Sequence, residues 1–164
     1  WTTDNGNHVL RKFSVDGRLV KTLGTEGKAG GGKTGFSAPD DVVFDSHGNH
    51  YIADSGNGRI VKLDREGNFV RQWGSKGKQP GQFATAHGLA IDAKDRIYVA
   101  DRGNQRVQIF NANGEHQANW TGFGNPFGLI VIGDELIASE GDKHKLFILD
   151  HDGERSHLGP HDQP

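Results

Sequence analysis

Tyr51-Ile52-Ala53-Asp54-Ser55-Gly56-Asn57-Gly58-Arg59-Ile60 and Tyr98-Val99-Ala100-Asp101-Arg102-Gly103-Asn104-Gln105-Arg106-Val107 are two copies of one pattern. In each, a short apolar run ends on aspartate, a break rich in glycine and asparagine follows, and a second apolar run opens on arginine. The break supplies residues that accept positive φ, so each copy reads as two strands joined by a tight turn. Working outward, Trp1-Thr2-Thr3-Asp4-Asn5-Gly6-Asn7-His8-Val9-Leu10 is a third copy, and Ile137-Ala138-Ser139-Glu140-Gly141-Asp142-Lys143-His144-Lys145-Leu146 a weaker fourth. The acidic positions 4, 54, 101 and 140 are 50, 47 and 39 residues apart. A second marker, Asp16-Gly17, Glu66-Gly67, Asn113-Gly114 and Asp152-Gly153, recurs at the same three intervals.

Two markers in register, at a period in the forties with hairpin turns inside each unit, define an all-β chain of four-stranded propeller blades. In the second unit the strands are expected at residues 41–45, 50–53, 59–64 and 69–73, innermost to outermost, and the third unit repeats this order over 87–120. The units divide roughly as 1–38, 39–85, 86–125 and 126–164, a single partial propeller of about three and a half blades, with the first unit short of its innermost strand. Looser Gly/Lys stretches at 24–35 and 74–81 run between units, each followed by a phenylalanine, Phe36 or Phe83, expected to plug the seam between neighbouring blades.

Composition agrees: only 33% of the 164 residues are hydrophobic and 25 are glycine, which suits short strands and many turns better than long helices. The net charge of −2, from 19 basic and 21 acidic residues spread without blocks, gives no electrostatic footprint for nucleic acid or an anionic membrane. No run approaches 18 apolar residues, and the first residues have neither a basic n-region nor an apolar h-region. Trp1, lying inside a strand-like segment, reads as an internal position of a longer chain. The absence of cysteine excludes a disulfide framework and a thiolate metal site.

Loops leading into innermost strands crowd the propeller axis, so residues distant in sequence converge there. The lead-in positions are Asp40 after Ala38-Pro39, His87 after Thr85-Ala86, and Phe127 after Asn125-Pro126. His87 is the candidate metal ligand among them, because a neutral imidazole binds zinc and similar ions, with a polar channel-lining role as the alternative. His8 and His144 share one repeat position with Gly58 and Gln105, which points to a turn role. His47, His50, His116, His151 and His157 read as scattered turn and strand-edge residues, and His161 as a loop residue near the next lead-in. Asp54, Asn57, Arg59 and their counterparts Asp101, Asn104, Arg106 recur by blade, so they read as structural: a turn carboxylate accepting backbone N–H groups and pairing with arginine.

The pattern resembles the NHL repeat family, whose Asn-His-Leu stretch corresponds to Asn7-His8-Val9-Leu10, Asn57-Gly58-Arg59-Ile60 and Asn104-Gln105-Arg106-Val107. The resemblance implies a ring of about six blades, closed by residues outside this chain or by another chain; an open arc would expose apolar blade faces and invite self-association. Within that family the chain is similar to the peptidyl-α-hydroxyglycine α-amidating lyases, zinc enzymes that cleave a hydroxyglycine-extended peptide to a peptide amide and glyoxylate. The likeness rests on Trp1-Thr2-Thr3-Asp4, Ala38-Pro39-Asp40-Asp41-Val42, Phe69-Val70-Arg71-Gln72-Trp73-Gly74, Pro80-Gly81-Gln82-Phe83, Ala86-His87-Gly88-Leu89-Ala90 and Val99-Ala100-Asp101-Arg102.

This resemblance implies three zinc-binding histidines on alternate blades, with His87 as the middle one and the others just before Trp1 and just after Pro164. Zinc is the implied cofactor; another divalent metal, or calcium in the complete propeller, is the alternative. It also implies that Arg102 lies near the metal and holds an anionic substrate, a task suited to a guanidinium, which grips a carboxylate through two parallel hydrogen bonds; an exposed turn residue is the alternative reading. The family's catalytic tyrosine has no counterpart, since Asp54-Ser55-Gly56-Asn57 carries no phenol. Proton removal would then need another base or a hydroxide generated on the metal. Two functions follow as expectations: a metal-dependent amidating-type lyase acting on a peptide or small molecule with a carboxylate, or a non-catalytic NHL propeller binding a protein, peptide or small ligand. The resemblance also suggests an exported location, secreted or periplasmic.

Overall fold

A computed structural model describes residues 1–142, 144–150 and 152–154. Fourteen strands form four antiparallel sheets: β1 (Thr2–Asp4), β2 (Val9–Phe13) and β3 (Leu19–Leu23); β4 (Pro39–Phe44), β5 (His50–Asp54), β6 (Arg59–Leu63) and β7 (Phe69–Trp73); β8 (Ala86–Ile91), β9 (Ile97–Asp101), β10 (Arg106–Phe110) and β11 (His116–Trp120); β12 (Pro126–Ile132), β13 (Glu135–Glu140) and β14 (Lys145–Leu149). Each sheet is an up-and-down meander whose spatial order follows the chain, and the described residues hold no α-helix. This is the blade architecture of a β-propeller.

The turns explain the repeat. Gly17, Gly67, Gly114 and Gly153 all have positive φ, between +76° and +90°, where a side chain would be strained. Ahead of the last three an Asx side chain accepts backbone N–H groups two and four residues on: Asp64 from Glu66 and Asn68, Asn111 from Asn113 and Glu115, Asp150 from Asp152 and Glu154, while before Gly17 the Ser14 hydroxyl accepts from the Arg18 N–H. Asp45 and Asp92 repeat the device between the first and second strands of their sheets. His8, Gly58, Gln105 and His144 share the left-handed region at φ +54° to +65°, which is the turn role expected of both histidines. His8 is further pinned by the Ala38 N–H, which donates to its Nδ1 at 3.0 Å.

Between those turns and the preceding loops lies the buried polar set. Asp54 accepts from Ser37 N–H (2.7 Å), Asn57 (2.8 Å) and Arg59 Nε (2.7 Å), while Arg59 also donates to the carbonyls of Gly32 and Gly35, both at 2.9 Å. Asp101 does the same with Ala84, Asn104 and Arg106, and Arg106 reaches the carbonyls of Gln79 and Gln82. The loops leading into the second and third sheets are thus each held by an arginine from the sheet that follows. In the first unit the arginine stands two residues later, where Arg11 pairs with Asp4.

Three apolar clusters fill the seams between sheets. Leu10, Phe36, Ile52, Val61 and Leu63 join the first sheet to the second; Tyr51, Ile60, Phe83, Leu89, Val99 and Phe110 join the second to the third; Tyr98, Ile109, Phe123, Leu136 and Leu149 join the third to the fourth. Phe36 and Phe83 are buried as seam plugs, and Phe123 takes the corresponding place in the next seam.

The hairpin turns expected after β5 and β9 each contain a single 3₁₀ turn, Ser55–Asn57 and Arg102–Asn104, closed by Gly58 or Gln105 at positive φ. His50 opens β5, at the start of the strand expected over 50–53, and is buried there, with its ring against Trp1 and Phe44 and its Nδ1 donating to the Asp64 carbonyl at 2.8 Å. Burial holds its pKa below the ordinary imidazole value. The readings of His151, His157 and His161 lie outside the described residues.

Candidate functional site

Strands β4, β8 and β12 are the edge strands of their sheets, and β8 touches both of the others. All three begin with a register shift, at Pro39/Asp41, Ala86/Leu89 and Pro126/Leu129. Such an irregularity frees the first residues from strict alternation and re-aims their side chains. Asp40, His87 and Phe127 occupy these irregular openings. Asp40 is tied to the first sheet, its carbonyl accepting from the Thr3 hydroxyl at 3.0 Å. Asp41 reaches the other way, accepting the Leu89 N–H at 2.8 Å and so joining β4 to β8.

His87 is half-buried against the opening of β12. Its ring lies edge-on to the ring of Phe127, with centroids 4.7 Å apart, and its Nδ1 is 3.3 Å from the Phe127 carbonyl oxygen. A carbonyl only accepts, so this contact requires a proton on Nδ1 and leaves the Nε2 lone pair of the neutral ring available. The imidazole therefore suits one coordination position of a metal. Among the described residues, however, no group of three or more His, Cys, Asp or Glu side chains comes together that could hold an ion. The described residues alone do not make a metal centre.

Arg102, also half-buried, opens the 3₁₀ turn after β9, and its N–H donates to the Thr85 carbonyl at 2.9 Å, two residues ahead of His87. Its guanidinium carbon lies 4.1 Å from the centroid of the Phe127 ring, a cation–π contact. The two residues singled out from the sequence thus meet on a third, Phe127. Sequence reasoning placed Phe127 at the lead-in of the following unit, the position matching His87, and gave it no role. Its equivalence to His87 in the repeat was the available signal.

Ser55, which opens the 3₁₀ turn after β5, is buried, and its hydroxyl donates to the carbonyl of Ala86, the neighbour of His87. Lys76 Nζ in turn donates to the Ser55 carbonyl at 2.6 Å. This hydroxyl is a fastening for the strand that carries His87.

Fold and repeat together define a β-propeller-type chain. The NHL repeat profile matches residues 83–110, which run from the seam phenylalanine through Arg102 to the end of β10, so the chain carries an NHL repeat. It is 37% identical over 104 residues to NHL repeat-containing protein 3 of Mus musculus, covering 57% of this chain and 29% of that protein. It is 36% identical over 95 residues to the probable peptidyl-alpha-hydroxyglycine alpha-amidating lyase pgal-1 of Caenorhabditis elegans, covering 56% of this chain and 27% of that one. The chain spans less than a third of the length of either relative. Among solved structures, the nidogen/laminin complex superposes with a TM-score of 0.77 at 21% identity, covering 97% of this chain and 58% of the other, a likeness of fold.

Proposed function

We propose that the place where His87 and Arg102 meet on Phe127 is the substrate site of a metal-dependent lyase of the peptidyl-α-hydroxyglycine amidating type. In this reading Arg102 grips the substrate carboxylate and His87 Nε2 is one ligand of a zinc ion whose other donors come from outside the described residues. Zinc so placed would supply Lewis acidity. Residues 1–164 then form one partial propeller domain, with units 1–38, 39–85, 86–125 and 126–164. The observation that carries the reading is the convergence of an imidazole with a free Nε2 and a guanidinium at the opening of neighbouring edge strands. The similarity to an amidating lyase supports it. Binding of a peptide ending in α-hydroxyglycine, followed by release of glyoxylate, tests it in the full-length protein. Glyoxylate release that Arg102→Ala lowers by about 10-fold or more is the expected result, in line with loss of a charge-assisted contact; no glyoxylate from the metal-loaded protein refutes it.

A second reading, a non-catalytic NHL propeller that binds a peptide or protein on the same face, is favoured by one observation. Ser55, in the stretch 54–57 that offers no phenol, commits its hydroxyl to the Ala86 carbonyl and supplies no base. Peptide binding without turnover would select it.

A further inference from the structure

Phe127 is the common contact of the two site residues. Its ring carries two contacts at once, His87 at 4.7 Å between centroids and the Arg102 guanidinium carbon at 4.1 Å. Its backbone carries a third, the carbonyl that accepts His87 Nδ1. Two glycines make room for it: a Cβ on Gly88 would run into the Phe127 carbonyl oxygen, and one on Gly141 would stand 2.5 Å from the ring. Gly88 follows His87 directly and Gly141 follows β13, so the clearance comes from two different sheets.

We propose that Phe127 is the positioning residue of this site, setting His87 through its carbonyl and Arg102 through its ring. The inference rests on the functional reading of His87 and Arg102, but its physical content is independent of any ligand. A neutral imidazole exchanges readily between two tautomers, and only the one with Nδ1–H presents a lone pair at Nε2. The second partner of a ligating histidine is what fixes that choice. A long guanidinium side chain samples many rotamers in water; one face against an aromatic ring restricts it to a plane and leaves its edge N–H groups for a carboxylate. Ring and carbonyl belong to one residue, so the two functional groups are set with respect to each other across the seam between the third and fourth sheets.

The test uses the full-length protein labelled with ¹⁵N at histidine and arginine. The neutral ring of wild-type His87 is expected to show the pattern of a pyrrole-type Nδ1 and a pyridine-type Nε2, and Arg102 side-chain protons are expected to be shifted upfield by the ring current of Phe127. Phe127→Leu, which keeps the carbonyl, should preserve the His87 tautomer, abolish the Arg102 shift, and weaken binding of N-acetyl-Phe-Gly, a peptide probe with a free carboxylate, by about 3- to 30-fold, as expected for loss of a cation–π restraint. Phe127→Tyr should restore both. An Nε2–H tautomer in the wild type, or an Arg102 signal unchanged in Phe127→Leu, overturns the proposal. Failure of the functional reading looks different: the spectra behave as described, yet Arg102→Ala binds the probe as well as the wild type does.

Discussion

Arg59 Nε donates to Asp54 Oδ2 at 2.7 Å with the carboxylate wholly out of solvent, and Arg106 does the same to Asp101 at 2.9 Å one unit later. These pairs are more than local turn chemistry, because each arginine also holds the preceding loop through its backbone carbonyls. The repeat marker that announces the fold is therefore also the clamp between successive sheets. Removing one partner strands a buried charge, which costs about 3–5 kcal/mol. Asp54→Ala should lower stability by that amount in urea unfolding; a loss below about 1 kcal/mol would show that the network is dispensable.

The seam plugs make a second prediction. Phe83 is fully buried between the second and third sheets, against residues such as Tyr51, Leu89 and Phe110. Phe83→Ala should cost about 3–5 kcal/mol through lost burial and a residual cavity. Thermal unfolding of the variant beside wild type checks it, and an unchanged midpoint would remove Phe83 from the core.

Gly88 tests the close approach beside His87. An alanine there meets the Phe127 backbone, not a flexible side chain, so relief requires β8 and β12 to separate. Gly88→Ala should destabilise by about 1–3 kcal/mol, as overpacking does, and should also disturb the His87 ring signals. A stable variant with unaltered His87 resonances would show that the seam is looser than described.

Acid stability follows from Asp92. Burial works against ionisation of its carboxyl, but the backbone N–H of Arg96, the Arg96 guanidinium and the Lys94 N–H outweigh it and hold the pKa below the ordinary 3.8. A carboxyl whose folded pKa is lowered adds stability that is present above the unfolded value and is lost as pH falls through the folded one. Wild type should therefore lose stability below about pH 4, and Asp92→Asn should flatten that limb of the curve. Urea midpoints at pH 6 and pH 3 measure the difference; parallel curves would contradict it.

Much of the fold was legible because its signals are local. The glycines at 17, 67, 114 and 153 announce positive φ wherever a hairpin must turn, and the Asp-x-x-Asn-x-Arg order of 54–59 and 101–106 announces a bond pattern that closes within six residues. The burial of His50 was not legible because β5 is buried on both faces, so no alternation marks which of its positions face the interior. The site was only half legible. His87 and Arg102 could be picked out by chemistry and resemblance, but Phe127 is 40 residues from His87 and 25 from Arg102, and their meeting depends on how one sheet packs on the next. No period in the sequence encodes that contact. The register shifts at the strand openings, which aim these side chains, are equally silent in a pattern of apolar and polar residues.

Metal content of the full-length protein, measured by elemental analysis after exhaustive dialysis, bears most directly on His87 as a ligand. The account predicts about one zinc per chain in the wild type and its loss in a folded His87→Ala variant, with the circular dichroism spectrum unchanged. A wild type free of bound metal after zinc loading, or a His87→Ala variant that keeps its full complement, would contradict it.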